Sequence, residues 1–260
     1  MAAVLESARE VLRIEAQAIE RAAGRLGGQF EQAVSILRAN PGKVVVSGMG
    51  KSGLAARALA ATFCATGVAS VFLHPAEAIH GDLGVYSPGD ATILISNSGA
   101  TEELTRLVPI LKRFDSKLIV ITGHPENALG LAADAVLDAS VEREADPNDL
   151  VPTASVMTAL ALGHALAVAL ARERGFSAAD FGLLHPGGQL GRSLNLRVAD
   201  VMHTGGEVPW VRPTDPLKLA LMEMTRKPLG AACVLDEGGR LAGLLTDGDL
   251  RRAFEKHDEI

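Results

Sequence analysis

Aromatic side chains are nearly missing from this sequence: one Trp, one Tyr and seven Phe in 260 residues. Platforms that stack nucleic-acid bases need them, so that mode of binding is excluded on composition. Basic charge is short as well. Lys and Arg number 25 against 31 Asp and Glu, a net charge of −6, and nothing suggests a nucleic-acid surface. The two cysteines, Cys64 and Cys233, lie far apart and match no metal or redox spacing. A reducing setting such as the cytoplasm is the simpler expectation. The first ten residues carry charge and no apolar signal core, so export is not expected.

Long apolar runs are also scarce, but Leu150–Ala171 contains no Asp, Glu, Lys or Arg and is long enough to span a bilayer. Half of its residues are Ala, Thr, Gly or Ser, with His164 in the middle and Pro152 near the start. Such residues gain little from lipid, and Pro in a first helical turn followed by Ala and Leu fits a buried helix. We read it as a core or subunit-interface helix, with no membrane involved.

What is present is periodic. Residues 3–26 place Val4, Leu5, Ala8, Val11, Leu12, Ile19, Ala22 and Leu26 near one helical face. A second helix with Phe30, Ala33, Val34 and Leu37 stops at Asn40-Pro41-Gly42. Short apolar runs then recur at 43–47, 69–73, 91–95, 117–122 and 135–138. Five buried strands with helices between them predict a five-stranded parallel, doubly wound α/β sheet. Ligands of such sheets bind beyond the C-terminal strand ends. Around 198–206 the pattern breaks into a small α+β unit, read as strand, helix 216–227, strand 231–236, strand 241–246 and helix 247–255. We divide the chain into domains at 1–200 and 201–260.

The first strand runs into VVVSGMGKSG, residues 44–53. Gly48, Gly50 and Gly53 have G-x-G-x-x-G spacing, which alone is unspecific. A triphosphate loop needs glycine where Val45 stands, and a dinucleotide site wants an acidic residue closing the second strand, which ends instead in His74-Pro75. What survives is a glycine turn and a helix start, able to hold a smaller phosphate or simply to connect a strand to a helix. The third strand end, SNSGATEE at 96–103, puts the hydroxyls of Ser96, Ser98 and Thr101 on one turn. A plain N-cap needs only one of them, so we read a cradle for a single phosphate. The second strand end reads HPAEAIHGDLG: His80 sits in a Gly-flanked loop as an acid/base candidate, while His74 reads as structural. Glu142 and Glu144 follow the fifth strand, and FGLLHPGGQLG carries His185. A Glu and a His converging on a phosphate cradle can move a proton between adjacent carbons.

VVVSGMGKSG, FLHPAEAIHGDLG, ISNSGATEEL and DFGLLHPGGQLGRSL, in that order, resemble the arabinose 5-phosphate isomerases of the sugar isomerase (SIS) superfamily over about residues 1–200. VADVMHTG and GRLAGLLTDGDLRR resemble one cystathionine β-synthase-type (CBS) repeat, where the family has two. The resemblance implies interconversion of D-arabinose 5-phosphate and D-ribulose 5-phosphate, feeding the Kdo sugar of lipopolysaccharide, with no cofactor required. It implies Lys51, Glu103, Glu144 and His185 as catalytically important, His80 at the substrate, and His74 as the position associated with an inhibitory zinc. It also implies a homo-oligomer, dimer or tetramer, in which the His185 loop of a neighbour completes the site. The family's E-A-C-P is here Glu144-Ala145-Asp146-Pro147, its P-T-S-S-T-T is Pro152-Thr153-Ala154-Ser155-Val156-Met157, and its G-D-A-L-A carries His164.

On this basis the phosphate of a pentose 5-phosphate sits on Ser52 and the Ser96/Ser98/Thr101 turn. Glu144 moves the proton between C1 and C2, and Lys51 stabilises the enediolate. His185 assists ring opening or oxygen proton transfer, and Glu103 positions or relays. Two alternatives stand beside this reading: a non-catalytic phosphosugar sensor, and an isomerase of a different sugar phosphate. Gly243–Asp249 fits the G-x-x-T-x-x-D pattern with which CBS repeats hold a nucleotide, yet Thr246 and Asp249 equally suit a helix cap.

Overall fold

A computed structural model of the chain describes residues 2–188 and 196–256. The chain divides into two compact units, Met1–Asn195 and Leu196–Ile260.

In the first unit, helices α1 (Ala2–Gly24) and α2 (Gly28–Ala39) precede β1 (Val44–Gly48) and α3 (Gly50–Ala65). Then come β2 (Ser70–Leu73), the single turn α4 (Pro75–Ala78), β3 (Ala91–Ile95) and α5 (Glu102–Arg113). They are followed by β4 (Leu118–Thr122), α6 (Ala128–Ala132), β5 (Ala135–Asp138), α7 (Ala154–Glu173) and α8 (Ala178–Leu184). All five strands are parallel, in the order β2-β1-β3-β4-β5. The expected doubly wound sheet is therefore present.

Alternation along the strands decides which helix covers which face. Val44, Val46, Ile93, Ile95, Ile119 and Ile121 pack with α2, α3 and α7, through Leu37, Leu59, Phe63, Leu162 and Leu166. Val45, Leu94, Leu118 and Val120 face the other way and meet Leu104, Leu107 and Leu111 of α5. The central strands β1, β3 and β4 are buried on both faces, which explains why they read as unbroken apolar runs.

Helix α7 is long and apolar enough to cross a membrane by length and composition, yet 56% of its apolar window is buried in this core. It starts at Ala154, so Pro152 precedes the helix and does not occupy its first turn as expected. Gly163 lets α7 approach α3, since a Cβ there would stand 2.7 Å from Leu59 Cδ2. The acidic residue that the family motif carries next to this glycine is His164 here, and His164 is exposed.

The second unit begins with a single turn, α9 (Val198–Val201), and continues through β6 (Trp210–Val211), α10 (Leu217–Arg226), β7 (Ala231–Leu235), β8 (Leu241–Thr246) and α11 (Asp247–Lys256). Its sheet pairs β6 with β7 in parallel and β7 with β8 in antiparallel. Asp236 closes the hairpin by accepting from the N–H groups of Gly238 and Arg240, both at 2.9 Å.

Candidate functional site

Strand order reverses between β1 and β3. A cavity of about 160 Å³ opens at the C-terminal strand ends there, where open α/β sheets bind ligands. Lys51 and Ser52 line it from the start of α3, Asn97 from the turn after β3, Thr122 and Gly123 from the end of β4, and Ser155 from α7.

The turn after β1 is tight for a physical reason. A Cβ on Gly48 would stand 2.8 Å from Ser52 O and 3.0 Å from Ile95 O, and one on Gly53 would stand 2.6 Å from Gly48 O. Met49, the N-cap of α3, supplies no side-chain cap, and Gly53 N–H is bonded to Met49 O at 3.1 Å. The amides of Gly50, Lys51 and Ser52 therefore stand at the positive helix end without an intrahelical acceptor.

The turn after β3 holds its three hydroxyls together. Ser96 Oγ lies 2.8 Å from Thr101 Oγ1 and 3.5 Å from Ser98 Oγ, and it accepts from Gly99 N–H at 3.1 Å. Thr101 is the N-cap of α5, but its side chain makes no cap bond. That orientation separates the turn from ordinary capping. Gly99 has φ +62°, and a Cβ there would stand 2.9 Å from both His124 O and Thr122 Oγ1, so the turn needs glycine. The loop after β4 buttresses it: Gly123 N–H donates to Asn97 O at 3.0 Å and Asn127 Nδ2 to Ser98 O at 2.7 Å.

Glu144 is 9% exposed and sits among donors at the start of α7. Its Oε2 accepts from Thr153 N–H at 2.8 Å, Thr153 Oγ1 at 3.0 Å and Ser155 N–H at 3.2 Å. Its Oε1 accepts from Ser155 Oγ. The loop that carries it is tied at many points. Glu144 N–H donates to Asp149 Oδ1 at 2.5 Å, and Asp146 accepts from the N–H groups of Val151, Leu150 and Asn148 at 2.7, 2.9 and 3.0 Å. The Val151 amide leads in holding the Asp146 carboxyl below the usual carboxylate range. Asp146, which stands where the family motif has Cys, thus closes this loop. Helix α1 adds ion pairs from Glu10 to Arg143 and from Arg21 to Glu142, so Glu142 is an exposed ion-pair partner.

The other expected site residues lie elsewhere in the chain. Glu103 is half-buried in the first turn of α5 and does not line the cavity. His80 is exposed in the loop after α4. His185 ends α8, stacked on Phe181 at 3.9 Å between ring centroids, with Nδ1 2.9 Å from Phe181 O. A carbonyl only accepts, so Nδ1 carries the proton and Nε2 is left as an acceptor. The rest of the His185 motif, 189–194, lies outside the described residues. His74 is edge-on to Phe72, and its buried Nδ1 has no hydrogen-bond partner among the described residues. Among those residues no group of three or more His, Cys, Asp or Glu could hold a metal ion. One imidazole is one ligand, and a zinc site needs several; the described residues of one chain do not fit the zinc that the resemblance attaches to His74.

Sequence reasoning passed over Asn97, Thr122, Gly123 and Ser155 as cavity residues. Asn97 lies inside the SNSGATEE turn and Ser155 inside the altered P-T-S-S-T-T motif, so the signal was membership of motifs already singled out.

In the C-terminal unit, Thr246 Oγ1 donates to Asp249 Oδ2 at 2.6 Å and accepts from Asp249 N–H at 3.3 Å, and Thr246 N–H donates to Oδ2 at 3.0 Å. That is a reciprocal cap on α11, the second of the two roles open to this pair.

The SIS domain family matches residues 36–169 and the CBS domain family residues 198–256. The chain is 50% identical over 256 residues to the arabinose 5-phosphate isomerase KdsD of Pseudomonas aeruginosa, covering 98% of this chain and 78% of that protein. It is 50% identical over 250 residues to KdsD of Escherichia coli K12, covering 96% of this chain and 76% of that one. Among solved structures, the E. coli CFT073 protein c3406 in complex with arabinose 5-phosphate superposes with a TM-score of 0.69 at 39% identity. That likeness covers 71% of this chain and 98% of that one.

Proposed function

The chain belongs to the arabinose 5-phosphate isomerase family, with an SIS domain and a CBS domain, and from that premise we propose how its strand-end cavity works. It is an isomerase that interconverts D-arabinose 5-phosphate and D-ribulose 5-phosphate, supplying the Kdo sugar of lipopolysaccharide. The observation that carries the site assignment is the hydroxyl network of Ser96, Ser98 and Thr101, in which Thr101 bonds Ser96 and does not cap α5, on the turn whose Asn97 lines the cavity at the strand-order switch point. Such a cradle suits one phosphate group.

In this reading the phosphate rests on the Ser52 helix start and the Ser96/Ser98/Thr101 turn. Lys51, at the cavity wall, offers positive charge to the enediolate. Glu144 is the base for the proton that moves between C2 and C1, and His185 serves oxygen protons through its Nε2. Glu103 positions these groups, and His80 meets the sugar. The net reaction is redox-neutral within one molecule, so the proposal includes no cofactor.

The protein acts in the cytoplasm as a homo-oligomer. Val4, Leu5 and Leu12 on α1 and Leu150 ahead of α7 are exposed large apolar residues that a neighbouring copy would cover. In such an assembly the neighbour's copy of the His185 loop completes the site.

The experiment is turnover by purified protein across pentose and hexose phosphates. Arabinose 5-phosphate should convert fastest. A protein that binds sugar phosphates and leaves them unchanged would be the sensor instead, and fastest conversion of another sugar would reassign the substrate.

A further inference from the structure

Glu144 is well held, but its carboxylate does not line the cavity. Among the described residues its partners come from Thr153 and Ser155, and of these two Ser155 is also a wall residue of the cavity. Ser155 is 3% exposed, and its hydroxyl donates to Glu144 Oε1, the oxygen that Thr153 leaves free. Thr153 bonds only to Oε2, and its hydroxyl is further committed to Ala145 N–H at 2.8 Å. The route from the cavity to the carboxylate therefore runs through one hydroxyl.

We propose that Ser155 is a further catalytic residue, the relay that carries the substrate proton between the cavity and Glu144. The inference rests on the isomerase reading above and deepens it. The C2–H bond of the aldose breaks as Ser155 Oγ takes that proton and passes its own to Glu144 Oε1. The C–H electron pair becomes the C1–C2 double bond, and the carbonyl pair moves onto O1, where the enediolate charge meets the positive wall at Lys51. Glu144 goes from carboxylate to carboxylic acid, so charge balances. Once the remaining hydroxyl proton has moved from O2 to O1, the same relay run backwards delivers the proton to C1 and restores the carboxylate. A hydroxyl suits this handover because it donates and accepts at once.

Helix capping is the competing role for Ser155, and Thr153 provides the control. Each residue gives one hydroxyl to the same carboxylate, so a purely structural role predicts similar losses for both. The relay predicts that Ser155→Ala lowers kcat for arabinose 5-phosphate by about 100-fold or more, with KM within about threefold, because only proton transfer is lost. Thr153→Ala should lower kcat by less than about tenfold. Ser155→Thr, which keeps the hydroxyl, should stay within about tenfold of the unmodified protein, while the isosteric Ser155→Val should fall with Ser155→Ala. If Ala loosens the start of α7 too far for folding, the Thr/Val pair carries the same comparison. Equal losses at Thr153 and Ser155, or a Val variant as active as the Thr variant, would overturn the relay. An unmodified protein that turns over no sugar phosphate would overturn the isomerase reading itself, and the relay with it.

Discussion

Two helix starts in this molecule use the same parts for different ends. At α7 a carboxylate, Glu144, takes hydrogen bonds from a threonine and a serine that lie 9 and 11 residues away. At α11 a carboxylate, Asp249, exchanges bonds with Thr246, three residues away. The first is buried behind a cavity wall, tied to α1 by ion pairs, and set over a sheet covered on both faces. The second is a local cap beside a small cluster of Met224, Ala232 and Leu250, in a unit that leaves Leu241 66% and Leu244 60% exposed. Carboxylate-and-hydroxyl chemistry alone thus does not mark a site. Burial, a neighbouring cavity and partners brought from a distance do.

The contrast can be broken most sharply at Glu144. Glu144→Gln should cost on the order of 100- to 10,000-fold in turnover while sugar-phosphate affinity stays nearly intact. Near-normal turnover in a steady-state assay would move the proton transfer elsewhere, to His80 first. Next in size is the proposed phosphate cradle. Ser98→Ala and Thr101→Ala should each weaken phosphosugar binding by roughly 1.5–3 kcal/mol, about 10- to 100-fold, and barely change binding of the unphosphorylated sugar. Calorimetry with both ligands separates that outcome from a role in the fold, which would weaken both equally.

At the C-terminal cap the effects should be confined to stability. The Thr246 hydroxyl, its amide and then Arg252 hold the Asp249 carboxyl down at about 2. A depressed folded value means the cap stabilises fully above the unfolded value, about 3.9, and loses that contribution as pH falls through about 2. Protection of the α11 amides against exchange should therefore fall over that window, and Thr246→Ala, which keeps the amide and Arg252, should weaken the dependence. An unchanged acid response in Thr246→Ala would refute the cap. The smallest expected effect is none: removing everything after Asp200 should leave isomerase activity in place. Lost activity with the remaining fold intact by circular dichroism would show that the second unit serves catalysis.

Much of this was legible in the sequence. All five strands of the large sheet lie where the apolar runs place them, within a residue or so, and in β1, β3 and β4 burial on both faces leaves no alternation to blur the pattern. The hydroxyl turn after β3 was legible because three hydroxyls in six residues exceed what a cap requires. Ser155 was not, because its importance depends on Glu144 returning to it across a loop shaped by Asp146 and Asp149. Asn97 and Gly123 escaped for the same reason: they meet only when the β3 and β4 loops lie side by side. Local pattern sees turn chemistry, while contacts between loops need the sheet.

The central claim is that this cavity moves a proton between C2 and C1 of a pentose 5-phosphate. Incubating the purified protein with arabinose 5-phosphate in deuterated water, and following C1 and C2 by NMR, tests it directly. The account predicts ribulose 5-phosphate with solvent deuterium at C1, because the proton rests on an exchangeable side chain between the two carbons. Saturable binding with no ketose formed and no label at C1 would contradict it.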